Sequence, residues 1–159
     1  MLKPKVYLDT SVISHLTHED TPDKMAATRE LWRLFEEGQF DIALSATTLY
    51  ELDKCPDPPR STLFDFLAQI KYETYEMTFA VESIADLILS MGILRKKSYD
   101  DCLHIAFAIA NECDYIVSWN FKHIVNAKTI FGIRELSDLG GLRPIKIVSP
   151  NVLIERSEF

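Results

Sequence analysis

Four oxygen-bearing side chains stand out for where they fall along the chain: Asp9, Glu51, Asp101 and Asn120. Asp9 ends the apolar run "KVYLD". Glu51 lies in "TTLYEL", just after the run "FDIALSA". Asp101 opens the stretch "DDCLHIAFAIA", and Asn120 directly follows "DYIVSW". Three carboxylates drawn together repel one another unless a cation stands among them. A hard divalent ion such as Mg2+ or Mn2+ takes oxygen ligands and removes that cost. Held by carboxylates, such an ion polarises a phosphodiester, lowers the pKa of a bound water and steadies the departing oxygen. Two ions roughly 3.5–4 Å apart would clamp both the attacking and the leaving oxygen. These residue types therefore point to hydrolysis of a nucleic-acid backbone without a protein nucleophile.

Each residue alone has a plainer reading. Asp9 suits a turn cap in "DTS". The adjacent acids Asp100 and Asp101 complement a helix dipole. Glu51 fits a solvated helix face, and Asn120 fits a turn. The cluster is favoured by joint placement, which depends on the elements. "KVYLDTS" reads as a strand ending at Asp9, and "FDIALSA" as a second strand, with Ser45 capping a short helix through "TTLYELDKC". "TPDKMAATRELWRLFEEG" is an expected helix with Met25, Leu31, Leu34 and Phe35 on its buried stripe. "STLFDFLAQI" is expected to be helical, "YETYEM" a weak strand, and "AVESIADLILSMG" an amphipathic helix. "DYIVSW" and "IKIVSP" complete the strands, with a helical segment around "FGIRELSDLGG" between them and a short segment, "NVLIERSEF", at the end. Strands alternating with helices predict a three-layer α/β/α fold around a central, mainly parallel sheet, in one domain spanning residues 1–159. Such a sheet presents functional residues beyond the carboxyl ends of its strands. All four candidates fall at that end. Neighbouring helix residues point about 100° apart, so Asp101, which shares a face with His104, Ile105 and Ala108, is the acid expected to face the site.

Composition narrows the function classes. A formal net charge of -7 argues against holding nucleic acid by bulk electrostatics, though a bound cation reverses the sign locally. Cys55, Cys102 and Cys113 form no CxxC pair and read as small buried residues in a reducing compartment. No apolar run approaches a membrane span, and the chain enters its first strand too soon for a signal peptide. The expectation is a cytoplasmic protein without membrane association.

At these residues the sequence resembles the PIN domain family, which includes VapC-type toxin ribonucleases. "VYLDTSVIS" is similar to the family's opening strand and first Asp, "ALSATTLYEL" to the segment carrying its Glu, and "DDCLHIAFAIA" to the third acidic element. "DYIVSWNFKHI" is similar to the fourth, in which a Ser or Thr and then Asp or Asn correspond to Ser118 and Asn120. The resemblance implies Mg2+- or Mn2+-dependent cleavage of RNA, with Asp9, Glu51, Asp101 and Asn120 as both catalytic and metal-holding residues. It also implies a protein antitoxin as partner. Dimers are common in the family, and the helix "TPDKMAATRELWRLFEEG" offers an amphipathic face for a homodimer. Asn120 stands where many members have Asp. It keeps an oxygen acceptor and drops a charge, which weakens the expected second metal site.

Other side chains have two readings each. Lys54, Arg60, Lys122 and His123 suit phosphate contacts or ordinary surface charge. Arg95, Lys96 and Lys97 form the one concentrated basic run, either a guide for a phosphate backbone or a solvated loop. Trp119 suits base stacking or packing at a strand end, and His104 is expected to be a satisfied core histidine. His15 and His18 lack companions for a zinc site. Two other functions stay open: a non-catalytic PIN-like module that binds RNA or protein, and a phosphatase of the haloacid dehalogenase type using Asp9. The latter is disfavoured by Ser11 where a second acid is needed.

Overall fold

The computed structural model describes residues 3–157. Its sheet is wholly parallel, with strand order β3-β2-β1-β4-β5, where β1 is Lys5–Leu8, β2 Asp41–Ser45, β3 Tyr72–Tyr75, β4 Tyr115–Val117 and β5 Lys146–Val148. The helices are α1 (Thr10–Ser14), α2 (Pro22–Glu36), α3 (Ala46–Asp53), α4 (Pro59–Ala68), α5 (Phe79–Ser90), α6 (Tyr99–Ala110), α7 (Ala127–Gly140) and α8 (Pro150–Ser157). The strand segments match the sequence reading, including the weak strand at Tyr72.

Alternation in the strands makes the three layers. Val6 and Leu8 of β1 point into one core with Leu31, Trp32, Leu63, Leu67 and Leu153, while Tyr7 points into the other with Val81, Ile88, Phe107 and Leu136. β4 repeats the pattern, with Tyr115 and Val117 on one side and Ile116 on the other. A parallel sheet covered on both faces requires this two-sided burial. Helix α6 is the most deeply set, with every residue from Cys102 to Ile109 buried. That explains why its sequence is apolar on all sides.

Two local elements differ from expectation. The segment after Asp9 is a five-residue helix, α1, rather than a simple turn, and Asp9 is its N-cap. The segment at the end is α8, docked on α2 through Leu153 and Ile154; its last two residues lie outside the described residues. On α2 the buried face is Thr28, Leu31, Trp32, Leu34 and Phe35, with Met25 half-buried. Among the described residues no helix is long and apolar enough to cross a membrane.

The strand order reverses direction beside β1. From β1 the chain steps to β2 and β3 on one side, then returns to place β4 and β5 on the other. The register pairs Leu8 with Val117, so Asp9 and Ser118 leave the sheet side by side. Open parallel sheets bind ligands at such a reversal.

Candidate active site

Asp9 is the anchor of the site. It is 3% exposed and accepts three hydrogen bonds. Ser118 Oγ donates to its Oδ2 at 2.5 Å, Ser11 Oγ to its Oδ1 at 2.7 Å, and the Val12 amide to Oδ1 at 3.2 Å. The last bond is the N-cap of α1, a common use of Asp where a strand hands over to a helix. Ser11 Oγ in turn accepts the Trp119 amide at 2.9 Å, and Ser118 Oγ accepts the Asn120 amide at 2.9 Å. Two hydroxyls therefore stitch the ends of β1 and β4 together around one carboxylate.

Asn120 carries the network to α6. Its Nδ2 donates to Asp101 Oδ1 at 3.3 Å, and its Oδ1 accepts the His123 amide at 2.9 Å. Asp101 is half-buried in the first turn of α6, whereas Asp100 is exposed. The helical phase thus turns Asp101 to the site, in keeping with the 3.6-residue repeat.

Glu51, on α3, meets α6 through His104. The imidazole Nε2 lies 2.7 Å from Glu51 Oε1, and Thr10 Oγ1 donates to the same oxygen at 2.9 Å. Beside a carboxylate Nε2 must be the donor, so the ring's other nitrogen faces Tyr7. The Tyr7 hydroxyl lies 2.7 Å from Nδ1, 2.7 Å from Ser45 Oγ and 3.3 Å from Thr48 Oγ1. Ser45 and Thr48 form the capping box that starts α3, the helix that carries Glu51. One buried polar chain, Ser45–Tyr7–His104–Glu51, therefore fixes both the helix and its acid. His104 is satisfied as expected, but its partner is the candidate acid 53 residues away.

The acids feel one another. Burial pushes the Asp9 carboxyl above its ordinary value, against the His104 charge and the three donors. Burial also raises Asp101, with the charges of Asp9 and Glu51 adding to it and those of His104 and His123 opposing. Burial would raise Glu51 too, but the bond and charge of His104 outweigh it and hold the carboxyl below the usual range. Burial pulls His104 down, yet the Glu51 bond and the charges of Asp9, Glu51 and Asp101 leave it raised. One buried imidazole thus faces three carboxylates, an excess of negative charge that a hard cation would relieve.

The donor set fits Mg2+ or Mn2+ in kind, being oxygen-rich and acidic. It is gathered but not closed into a cage. Among the described residues, no group of three or more His, Cys, Asp or Glu side chains is placed to hold a metal ion unaided. Glu51 Oε1 is engaged by His104 and Thr10, and the Asn120 carbonyl oxygen by His123.

The remaining candidates divide clearly. Trp119 is a packing residue: it is buried, its indole N–H donates to Thr28 Oγ1 at 2.8 Å, and His15 lies against it at 5.9 Å. Arg60 is committed to Asp57 at 2.9 Å and to the Asp53 carbonyl, and the Lys54 ammonium lies 4.1 Å from the Tyr50 ring centre. Sequence reasoning missed Tyr7 and Ser11. The one available signal was a hydroxyl-bearing residue beside each half of the "VYLDTS" motif.

Solved structures that resemble this fold include a VapBC2 chain and a VapC20 toxin. A chain of VapBC2 from Rickettsia felis, bound to a DNA fragment from their promoter, aligns with a TM-score of 0.55 at 15% identity, covering 91% of this chain and 98% of that one. VapC20 of Mycobacterium tuberculosis, a sarcin–ricin loop cleaving toxin, aligns with a TM-score of 0.56 at 13% identity, covering 74% of this chain and 92% of that one. No curated protein matches the chain in sequence. The profile of the PIN domain matches residues 5–122, a span that takes in every side chain of the acidic end from Asp9 to Asn120, and the chain belongs to the PIN domain family.

Proposed function

We propose that this protein is a divalent-cation-dependent endoribonuclease and the toxin of a toxin–antitoxin pair. The observation that carries the reading is the gathering of Asp9, Glu51, Asp101 and Asn120 at the carboxyl end of the sheet through Ser118, His104 and one another, where burial penalises the charged carboxylates of Asp9 and half-buried Asp101 and a cation would relieve that penalty. The likeness of the fold to two VapC-containing structures supports it. When bound, Mg2+ or Mn2+ supplies an activated water and charge neutralisation at the phosphodiester.

The chain's own residues have separable tasks. Asp9 and Asp101 hold the ion, with the Ser11 and Ser118 hydroxyls fixing the Asp9 carboxylate. Glu51 offers its second oxygen, Oε2, which makes no hydrogen bond among the described residues, while His104 grips the first. Asn120 steadies Asp101, and its carbonyl oxygen, which accepts the His123 amide, keeps a second lone pair for a cation. Asn in place of an acid favours a single strongly held ion. The antitoxin acts by covering this acidic end.

A labelled RNA incubated with Mn2+ or Mg2+ tests the reading. Cleavage is expected, and it should stop with EDTA and in Asp9→Asn. Cleavage that persists unchanged in either condition overturns it. The engagement of Glu51 and Asn120 by internal partners favours a second reading, a PIN domain that binds RNA without cutting. RNA binding without turnover at millimolar Mn2+ would establish that alternative.

A further inference from the structure

Beside the acidic end lies a concave groove of about 300 Å³ whose lining includes Arg95, Lys97, Ser98, Lys122, His123 and Lys128 and no acid. The chain has 17 Lys and Arg against 24 Asp and Glu, so four permanent cations around one acid-free hollow run against the bulk charge. None of the four forms an ion pair among the described residues. All four are exposed. Unpaired like charges held around a concavity repel one another and focus a positive potential outward.

The two walls come from distant parts of the sequence, and each runs directly into the acidic site. Residues Lys96–Ser98 form a 3-10 turn that ends at Ser98, three positions before Asp101. The other wall is pinned at several points: the His123 amide donates to Asn120 Oδ1, Asn126 Nδ2 donates to the Phe121 and Lys122 carbonyls at 3.1 and 3.0 Å, and Thr129 Oγ1 donates to the His123 carbonyl at 2.7 Å. The backbone that carries Lys122 and His123 is thereby fixed relative to Asn120. Asp101 also senses the His123 charge.

Resting on the ribonuclease reading, we propose that this groove is a phosphodiester-binding track that seats the RNA backbone on one side of the scissile bond and feeds it toward Asp9 and Asp101. The lining gathers four exposed cations and no Phe, Tyr or Trp, a set that favours phosphate oxygens over base edges. Its contribution is independent of sequence and sensitive to salt.

The test uses single-stranded RNA and fluorescence anisotropy in an Asp9→Asn background, which keeps the substrate intact. Each phosphate contact to a single strand contributes about 0.7 to the slope of log K against log salt. The triple substitution Lys97→Gln, Lys122→Gln, Lys128→Gln should lower that slope by about 2 and weaken binding roughly 100-fold at 0.1 M salt. The charge-keeping triple Lys97→Arg, Lys122→Arg, Lys128→Arg should retain both affinity and slope. A control triple of exposed lysines elsewhere, Lys3→Gln, Lys71→Gln, Lys146→Gln, should change the slope little. Equal losses in the control and groove triples, no loss in the groove triple, or no RNA binding by the Asp9→Asn parent would each overturn the proposal. Because the readout is binding, a wild-type protein that fails to cleave yet loses RNA affinity in the groove triple would contradict the nuclease reading and leave the track standing.

Discussion

Tyr7→Phe is the most informative single change. The ring of Tyr7 is fully buried and stacks on Phe107 at 6.4 Å with a 9° tilt, so Phe keeps the packing and removes one oxygen. That oxygen has one proton and two acceptor positions, and its neighbours Ser45, Thr48 and His104 Nδ1 use them all. Burial raises the phenol well above its ordinary pKa, so the hydroxyl stays protonated throughout the working range. Losing two short hydrogen bonds costs about 0.5–1.5 kcal/mol each, and stranding Nδ1 away from water costs about 1–3 kcal/mol. Relief from burying a hydroxyl offsets part of this. The expected net loss is about 2–3 kcal/mol, a fall in Tm of roughly 5–10 °C for a domain of this size. Function should suffer as well. His104 without Tyr7 no longer holds Glu51 in register, and losing the partner of a ligand-orienting histidine costs about 10–100-fold in metal affinity or activity. Urea unfolding at constant m-value measures the first effect, and initial cleavage rates across a Mn2+ titration measure the second. Excess Mn2+ should recover part of the rate. A stability loss below roughly 0.5 kcal/mol, or an unchanged Mn2+ requirement, would refute the claim that this chain positions Glu51.

Further outcomes follow from the same geometry. The raised carboxyls of Asp9 and Asp101 favour the folded state while protonated, so without metal their contribution is full below about pH 4, the unfolded value, and is lost as pH rises through their folded values. The raised His104 has the same sign above about pH 6.5. Urea midpoints should therefore decline less steeply with pH in Asp9→Asn than in the wild type, and saturating Mn2+ should flatten the wild-type curve; parallel wild-type and Asp9→Asn curves would contradict this. Burial pushes the Cys102 and Cys113 thiols up to about 11, while Cys55 is half-buried. Iodoacetamide at pH 8 should label Cys55 first in the native protein and all three thiols in urea, as read by peptide mass. A Cβ at Gly132 would lie 2.7 Å from Ile93 Cγ1, so Gly132→Ala should lose about 1–3 kcal/mol to overpacking against about 1 kcal/mol of helix gain, a modest net destabilisation visible in thermal melts.

The sequence carried most of the fold because its signals were periodic. Val6, Tyr7 and Leu8 alternate between two apolar cores, and α5 shows its buried stripe at Val81, Ile84, Ala85 and Ile88. Helix α1 escaped notice because five residues are too few to show a 3.6-residue repeat. Helix α8 was read only as a short segment, although Pro150 suits a first helical position and Leu153 and Ile154 supply its docking face. The place of Asp9 directly beyond β1 was readable from the strand pattern, whereas Glu51 lies within α3 and Asp101 in the first turn of α6. The partners of these acids were not readable, because Tyr7, His104 and Glu51 meet through contacts spanning 53 to 97 residues that no local pattern encodes. The basic groove was half visible in "LRKKSYDD"; its second wall, at Lys122 and Lys128, joins it only through the fold.

The central claim is that the carboxylates at the end of β1 and the start of α6 share a divalent ion. A crystal soaked in millimolar Mn2+ and measured at the manganese absorption edge tests it most directly. The account predicts an anomalous peak about 2.1 Å from both Asp9 and Asp101 oxygens, absent in Asp9→Asn crystals. A clean map with no peak at that end of the sheet, or an ion bound elsewhere with Asp9 still held only by Ser11, Ser118 and the Val12 amide, would contradict it.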